Sequence, residues 1–205
     1  MNFIILASVL ILSLVIFLTI SRSKRLDSNA IEDFWNKERQ ANSTRRKPLD
    51  DLDYITIPFD TLPVEVMAED EEVAECIRTL HTLSEGKIVN FTGITNTELK
   101  LRYGAPNITL LMNYDQSYTI LARTLQRWAD LLSRNDHPVE ACQILEFAVS
   151  TRTDVTATYR LLCKLYKQLG CSEKIDSLYE TAQSLQSSVR NTIVRILQES
   201  GQSPD

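Results

Sequence analysis

Glycine is scarce in this 205-residue chain, at five residues, and none falls in a GxGxxG or GxxxxGK[ST] run. That removes the sequence basis for a loop whose backbone N–H groups cradle a phosphate. Cysteine is confined to Cys76, Cys142, Cys163 and Cys171 with no CxxC pair, and the histidines, His81 and His137, sit in no ligand-spaced cluster. Neither a structural zinc site nor a disulfide framework has its usual signature, so four reduced thiols in a reducing compartment are expected. A basic excess is missing too: the net charge of -5 argues against nucleic acid as a partner. No Ser-His-Asp order, GxSxG elbow or HExxH pair occurs, and His81 has no Asp or Cys at helical spacing. No catalytic residue, metal or cofactor is expected, and the chain is not read as an enzyme.

What the chain does contain begins with FIILASVLILSLVIFLTI, residues 3–20, eighteen positions without a charge, proline or glycine. As a helix this run covers about 27 Å, enough for a hydrocarbon core. A cleaved secretory signal would want a basic start, a shorter apolar stretch and a small-x-small site, none of which is present. A retained transmembrane anchor over 1–21 is expected. Arg22, Lys24 and Arg25 follow at once, and cations beside a span are held on the cytoplasmic side, so the remaining chain is expected to be cytoplasmic, in a single-pass protein of the cell membrane. The triplets at Asn42, Asn90 and Asn107 are then read as chance sequons, since glycosylation needs the opposite side.

Residues 21–48 hold eight basic and four acidic side chains, whereas 49–75 hold ten acidic and no basic ones. Asn29 followed by Glu32 predicts a capping box opening a short juxtamembrane helix, with Ile31, Phe34 and Trp35 on one face. Phe34 and Trp35 then serve either at headgroup depth or packed on the soluble domain, and both readings stand. Tyr54–Pro58 alternates briefly and is broken by proline, so 22–67 is expected to be the juxtamembrane helix plus an extended acidic linker. Within 68–117, an N-terminal helical cap, acids from Glu69 to Glu72 start a helix whose apolar face is Val73, Cys76, Ile77, Leu80 and Leu83, stopped by Gly86. A second short helix opens at Thr95–Glu98 and closes at Gly104 and Pro106.

A comparison of the chain with itself at a shift of thirty-four pairs Leu125 with Tyr159, Trp128 with Leu162, Ala129 with Cys163, Leu132 with Tyr166, Leu145 with Tyr179 and Ala148 with Ala182. Small residues meet small ones and large meet large. Each copy splits into two helices, 118–134 with 138–150 and 155–169 with 172–185. The turns place Pro138 at a first helical position, Gly170 as C-cap and Ser172 as N-cap. Cys163 takes the slot of Ala129, a packing position, with no neighbour that would activate a thiol.

This pattern resembles the tetratricopeptide (TPR) repeat, with Asp136 where that family prefers glycine, Ile175 where it prefers a small residue, and Thr153 and Ser187 where it closes with proline. Two TPR-like repeats over 118–187 and a C-terminal capping helix and tail over 188–205, with face Val189, Ile193, Ile196 and Leu197, complete an all-α fold. The stretches FWNKERQANSTRRKPLDDLDYITIP and FTGITNTELKLRYG also resemble a family of uncharacterised single-pass bacterial membrane proteins with a TPR-like C-terminal domain.

The TPR resemblance implies that the first helix of each pair lines a groove for a protein or peptide. Arg123 and Arg127 lie on one such helix, and Arg160, Lys164 and Lys167 share a face of the next. Acidic extended segments are the expected ligands, the first candidate being residues 50–75 of the same chain, whose tethering keeps them at high effective concentration. The same charges also fit a solvated helix face. The functional expectation is a membrane-anchored adaptor or scaffold that binds a partner through this groove. The alternative is a structural or assembly subunit of a membrane complex that oligomerises through the span and neck.

Overall fold

The computed structural model describes the backbone of residues 3–202, and the side chains of all of these except 4–6, 9–10, 20–29 and 201–202. All regular secondary structure among them is helical, apart from one isolated antiparallel bridge between Tyr54 and Val89. The chain divides into two compact units, residues 1–47 with 96–108, and residues 48–95 with 109–205.

The first unit is built on α1, Phe3–Ser43, a single helix of 41 residues and about 60 Å. The expected separate neck helix is corrected here. With no glycine or proline before Pro48, nothing breaks the ladder at Asn29, whose backbone lies mid-helix, far from either end of α1. Among the described residues no helix is long and apolar enough to cross a membrane. The side chains of Arg22, Lys24 and Arg25, assigned above to the membrane face, lie outside the described residues.

The C-terminal end of α1 is clasped by α3 (Asn96–Tyr103) and the 3-10 turn Ala105–Asn107. Thr97 Oγ1 donates to Glu38 Oε1 at 2.6 Å, and Lys100 Nζ reaches Glu38 Oε2 at 3.3 Å and Asn42 Oδ1 at 2.8 Å. Backbone bonds continue the clasp from Lys47 N–H to Tyr103 O and from Ala105 N–H to Thr44 O. Asn107, 4% exposed, donates its amide to the carbonyls of Lys47 and Tyr103, both at 2.8 Å, so its burial leaves no orphan donor. The segment 96–108, expected in a cap over the repeats, therefore belongs with α1.

The second unit contains α2 (Glu71–Ser84), α4 (Ile108–Arg134, all but its first residue), α5 (Pro138–Ser150), α6 (Thr156–Gln168), α7 (Lys174–Gln183) and α8 (Arg190–Gln202). Asp70 caps α2, its carboxylate accepting from the N–H groups of Glu72 and Val73, and Val73, Cys76 and Leu80 are buried as the periodicity predicts. Helix α4 begins ten residues upstream of the expected start, because no breaker lies between Asn107 and Tyr118. The acidic stretch is not a loose linker: Leu52, Ile57 and Leu62 are each at most 7% exposed.

The thirty-four-residue period recurs in backbone detail. Both inner turns close with the same bond, His137 N–H to Leu132 O at 3.0 Å and Cys171 N–H to Tyr166 O at 2.8 Å. Asp136 stands at φ 61 where Gly170 stands at φ 71, so both copies need a left-handed residue at this point. At the next turns, Thr153 Oγ1 accepts from Val155 N–H and Ser187 Oγ from Val189 N–H, each at 3.3 Å, at the two positions where the TPR pattern has proline. Helices α6 and α8 then start one period apart, at Thr156 and Arg190. Ile193 and Leu197, buried on α8, continue the positions of Tyr159 and Cys163, so α8 takes the place of a first helix one period on. Ser172 is the exception: α7 starts at Lys174 with no side-chain cap.

Gly170 has open space around an added Cβ, so Gly170→Ala pays only the left-handed conformation, about 1 kcal/mol. Asp136→Gly relieves the same strain and is expected to stabilise by about 0.5–1 kcal/mol. Urea titrations of the two variants should shift in opposite directions. The Thr97 hydrogen bond, then Lys100, lowers the Glu38 carboxyl below its ordinary value against partial desolvation. Its stabilising contribution is therefore present above the unfolded glutamate value of about 4.3 and is lost as pH falls through the lower folded value. Amide-exchange protection of α3 should drop between about pH 6 and about pH 3, and Glu38→Gln should flatten that dependence.

Candidate protein-binding face

The first-helix face is set by the contact between α4 and α6. Gln126 sits between them, its Oε1 accepting from Thr158 Oγ1 at 2.8 Å and its Nε2 donating to Asp130 Oδ2 at 3.1 Å. Thr158 is fully buried, and this bond satisfies its hydroxyl. A cavity of about 350 Å³ opens here, bordered by Arg123, Gln126, Arg127, Asp130 and Arg134 of α4, with Glu72 of α2 and Val155.

The five candidate cations fall into different environments. Arg127 is engaged: its guanidinium meets Glu72 at 3.1 Å and Glu75 at 2.8 Å, and these two carboxylates, Glu72 first, hold its pKa above the ordinary arginine value. At 46% side-chain exposure the pairing adds little stability, but it fixes where the charge sits. Both glutamates belong to the acidic stretch 50–75, and they are a fixed part of α2. Arg123, Arg160 and Lys164 are exposed and make no ion pair among the described residues. Lys167 is half-buried and has a contact of its own. The period places Arg160 and Lys164 of α6 at the positions of Gln126 and Asp130 of α4, and Ala157 and Leu161 at those of Arg123 and Arg127, so the cations occupy neighbouring positions on the two helices, not the same ones.

Between α6 and the second helices α5 and α7 lies a network that the spacing does not disclose. Tyr166 Oη donates to Glu146 Oε1 at 2.9 Å, and Lys174 Nζ reaches the same oxygen at 2.9 Å. Burial, then the Glu146 partner, pushes the Tyr166 phenol up, while Glu146 raises Lys174. Only a comparison of α5 with α7 for opposite charges would have suggested it. His81 stacks on Phe59, centroids 4.2 Å apart and planes 5° from parallel. Among the described residues no group of His, Cys, Asp or Glu could hold a metal ion.

Phe34 and Trp35 are each 55% exposed and meet edge to face at 5.4 Å, with Ile31 also exposed one turn earlier. All four cysteines are unpaired. Cys163, 1% exposed, fills the Ala129 slot, and Cys76 and Cys142 are also buried, burial pushing the Cys142 thiol up to about 11. No protein-family model, curated protein or solved structure matches the chain.

Thiol reactivity tests this placement. Cys171 is the one partly exposed cysteine, so a maleimide at neutral pH should modify it in the native chain and reach Cys76, Cys142 and Cys163 only after unfolding. Mass mapping after a short pulse reads the order, and early labelling of Cys163 would contradict a packing role.

Proposed function

We propose that this chain is a membrane-anchored, cytoplasm-facing adaptor that holds a protein partner through the first-helix face of a TPR-like domain. The observation that carries the reading is the pair of exposed, unpaired cations Arg160 and Lys164 on α6, beside Arg123 on α4. A chain with net charge -5 that concentrates free cations on one helix face favours an acidic peptide there. Arg127, already shared by Glu72 and Glu75, orders the wall of the groove more than it adds free charge. The anchor rests on the apolar run 3–20, and the cytoplasmic side on Arg22, Lys24 and Arg25.

The second reading, an assembly subunit that oligomerises through the span and neck, is favoured by one observation. Along an unbroken α1, Phe34 and Trp35 stand about 20 Å beyond Ile20, past the headgroup layer for a helix near the bilayer normal. Their exposure then suits a protein neighbour better than lipid.

Proximity labelling in the native membrane separates the two. The full chain should label a small set of cytoplasmic proteins, and Arg160→Glu with Lys164→Glu should lose them. An unchanged set, together with assembly by residues 1–48 alone, would replace the adaptor with the assembly subunit. Labelling of exported proteins would reverse the topology.

A further inference from the structure

Arg152 lies at φ 59, a left-handed setting that glycine takes freely and a β-carbon resists. The surroundings hold it there. Its N–H donates to Val149 O at 2.8 Å, and the Asn90 side-chain amide donates to the carbonyls of Thr151 at 2.9 Å and Arg152 at 3.1 Å. None of these bonds uses the arginine side chain, whose guanidinium is exposed and makes no ion pair among the described residues. The turn itself would be easier with glycine. An arginine in a conformation that disfavours it points to a use for the guanidinium.

Arg152 borders a cavity of about 350 Å³ that shares no residue with the first-helix cavity. Its walls are two matching turns one period apart, 150–152 after α5 and 184–187 after α7. Thr92 and Ile94 border one side, and Gly93 between them lies so near Gln186 that an added Cβ would fall 1.8 Å from the carbonyl oxygen. Asp53 also borders the cavity and likewise has no ion pair among the described residues, and Thr56 and Thr92 add hydroxyls. Both α5 and α7 end here, and the negative ends of their dipoles favour a cation. A lone anion would meet one arginine against an aspartate and two helix C-termini. A ligand with both signs satisfies every wall.

We propose that this cavity binds a free α-amino acid or a zwitterion of similar size, its carboxylate on Arg152 and its ammonium toward Asp53 and the ends of α5 and α7. Arginine suits the planar carboxylate through paired N–H donors, and the volume is that of a small-ligand site. The site is independent of the adaptor reading, since it shares no residue with the first-helix cavity.

The test is calorimetry on the detergent-solubilised full chain with glycine, L-leucine, L-glutamate and L-lysine, then with the N-acetyl and methyl-ester forms of the best binder. At least one amino acid should bind with a Kd below about 1 mM, and each blocked form should bind at least about tenfold more weakly. Arg152→Gly should lose about tenfold or more while its thermal midpoint stays or rises, and Arg152→Gln should lose binding with the backbone setting unchanged. The proposal is overturned if no amino acid gives saturable heat at about 10 mM, or if the N-acetyl form binds equally well, which would mark a carboxylate-only site. It is equally overturned if both variants bind like the parent chain, or if Arg152→Gly lowers the midpoint and so shows that the turn needs its arginine for folding.

Discussion

The close approach of helices at small side chains is the constraint on which the second unit depends. Ala129, Ala141, Ala148, Cys163 and Ala182 are all at most 1% exposed, and two pairs of them, Ala129 with Cys163 and Ala148 with Ala182, repeat across the period. At these crossings a methyl or thiol leaves room for a neighbouring backbone, while Trp128, Tyr159 and Leu162 fill the spaces between. Enlarging one of the small positions forces side chains off their rotamers or helices apart, which typically costs about 1–3 kcal/mol in a packed interior. The question a buried thiol raises is answered by the same geometry: Cys163 is there for its size.

The turns follow from that packing. Helices that cross closely must reverse within a few residues, and both copies do so with a left-handed residue and the same five-residue-back hydrogen bond. One copy uses glycine and the other aspartate, whose short polar side chain tolerates the conformation better than most. The polar groups that the packing buries are matched in the same economical way. Thr158 finds Gln126, and the phenol of Tyr159 donates to Thr153 O at 2.8 Å. The indole of Trp128 is the departure, a fully buried N–H with no acceptor among the described residues, which its large apolar burial has to outweigh.

Helix identity and the repeat period were legible in the sequence because both rest on local periodicity and on Gly, Pro, Ser and Asp at fixed offsets. The α2 face and the Pro138 start follow those signals directly. The failures share a cause. Asn29 carries a capping pattern, but a cap acts only where the chain would otherwise stop, and the surrounding residues are good helix formers. The allegiance of α3 depends on Glu38 meeting Thr97 and Lys100 across some sixty residues, a long-range contact without periodic trace. The candidate face was half legible: spacing aligned Arg160 and Lys164, while the capture of Arg127 by Glu72 and Glu75 came from a helix packed alongside. The strained Arg152 gave no sequence signal, since arginine is not a residue expected at positive φ.

The unbroken course of α1 has a mechanical meaning. A helix without proline, glycine or a change of hydrogen-bond register has no hinge at which twist can dissipate. Rotation about its axis at the apolar end must reappear, turn for turn, at Glu38 and Asn42, where α3 is fastened. The neck thus behaves as a torsion rod, reporting the angular position of one end at the other.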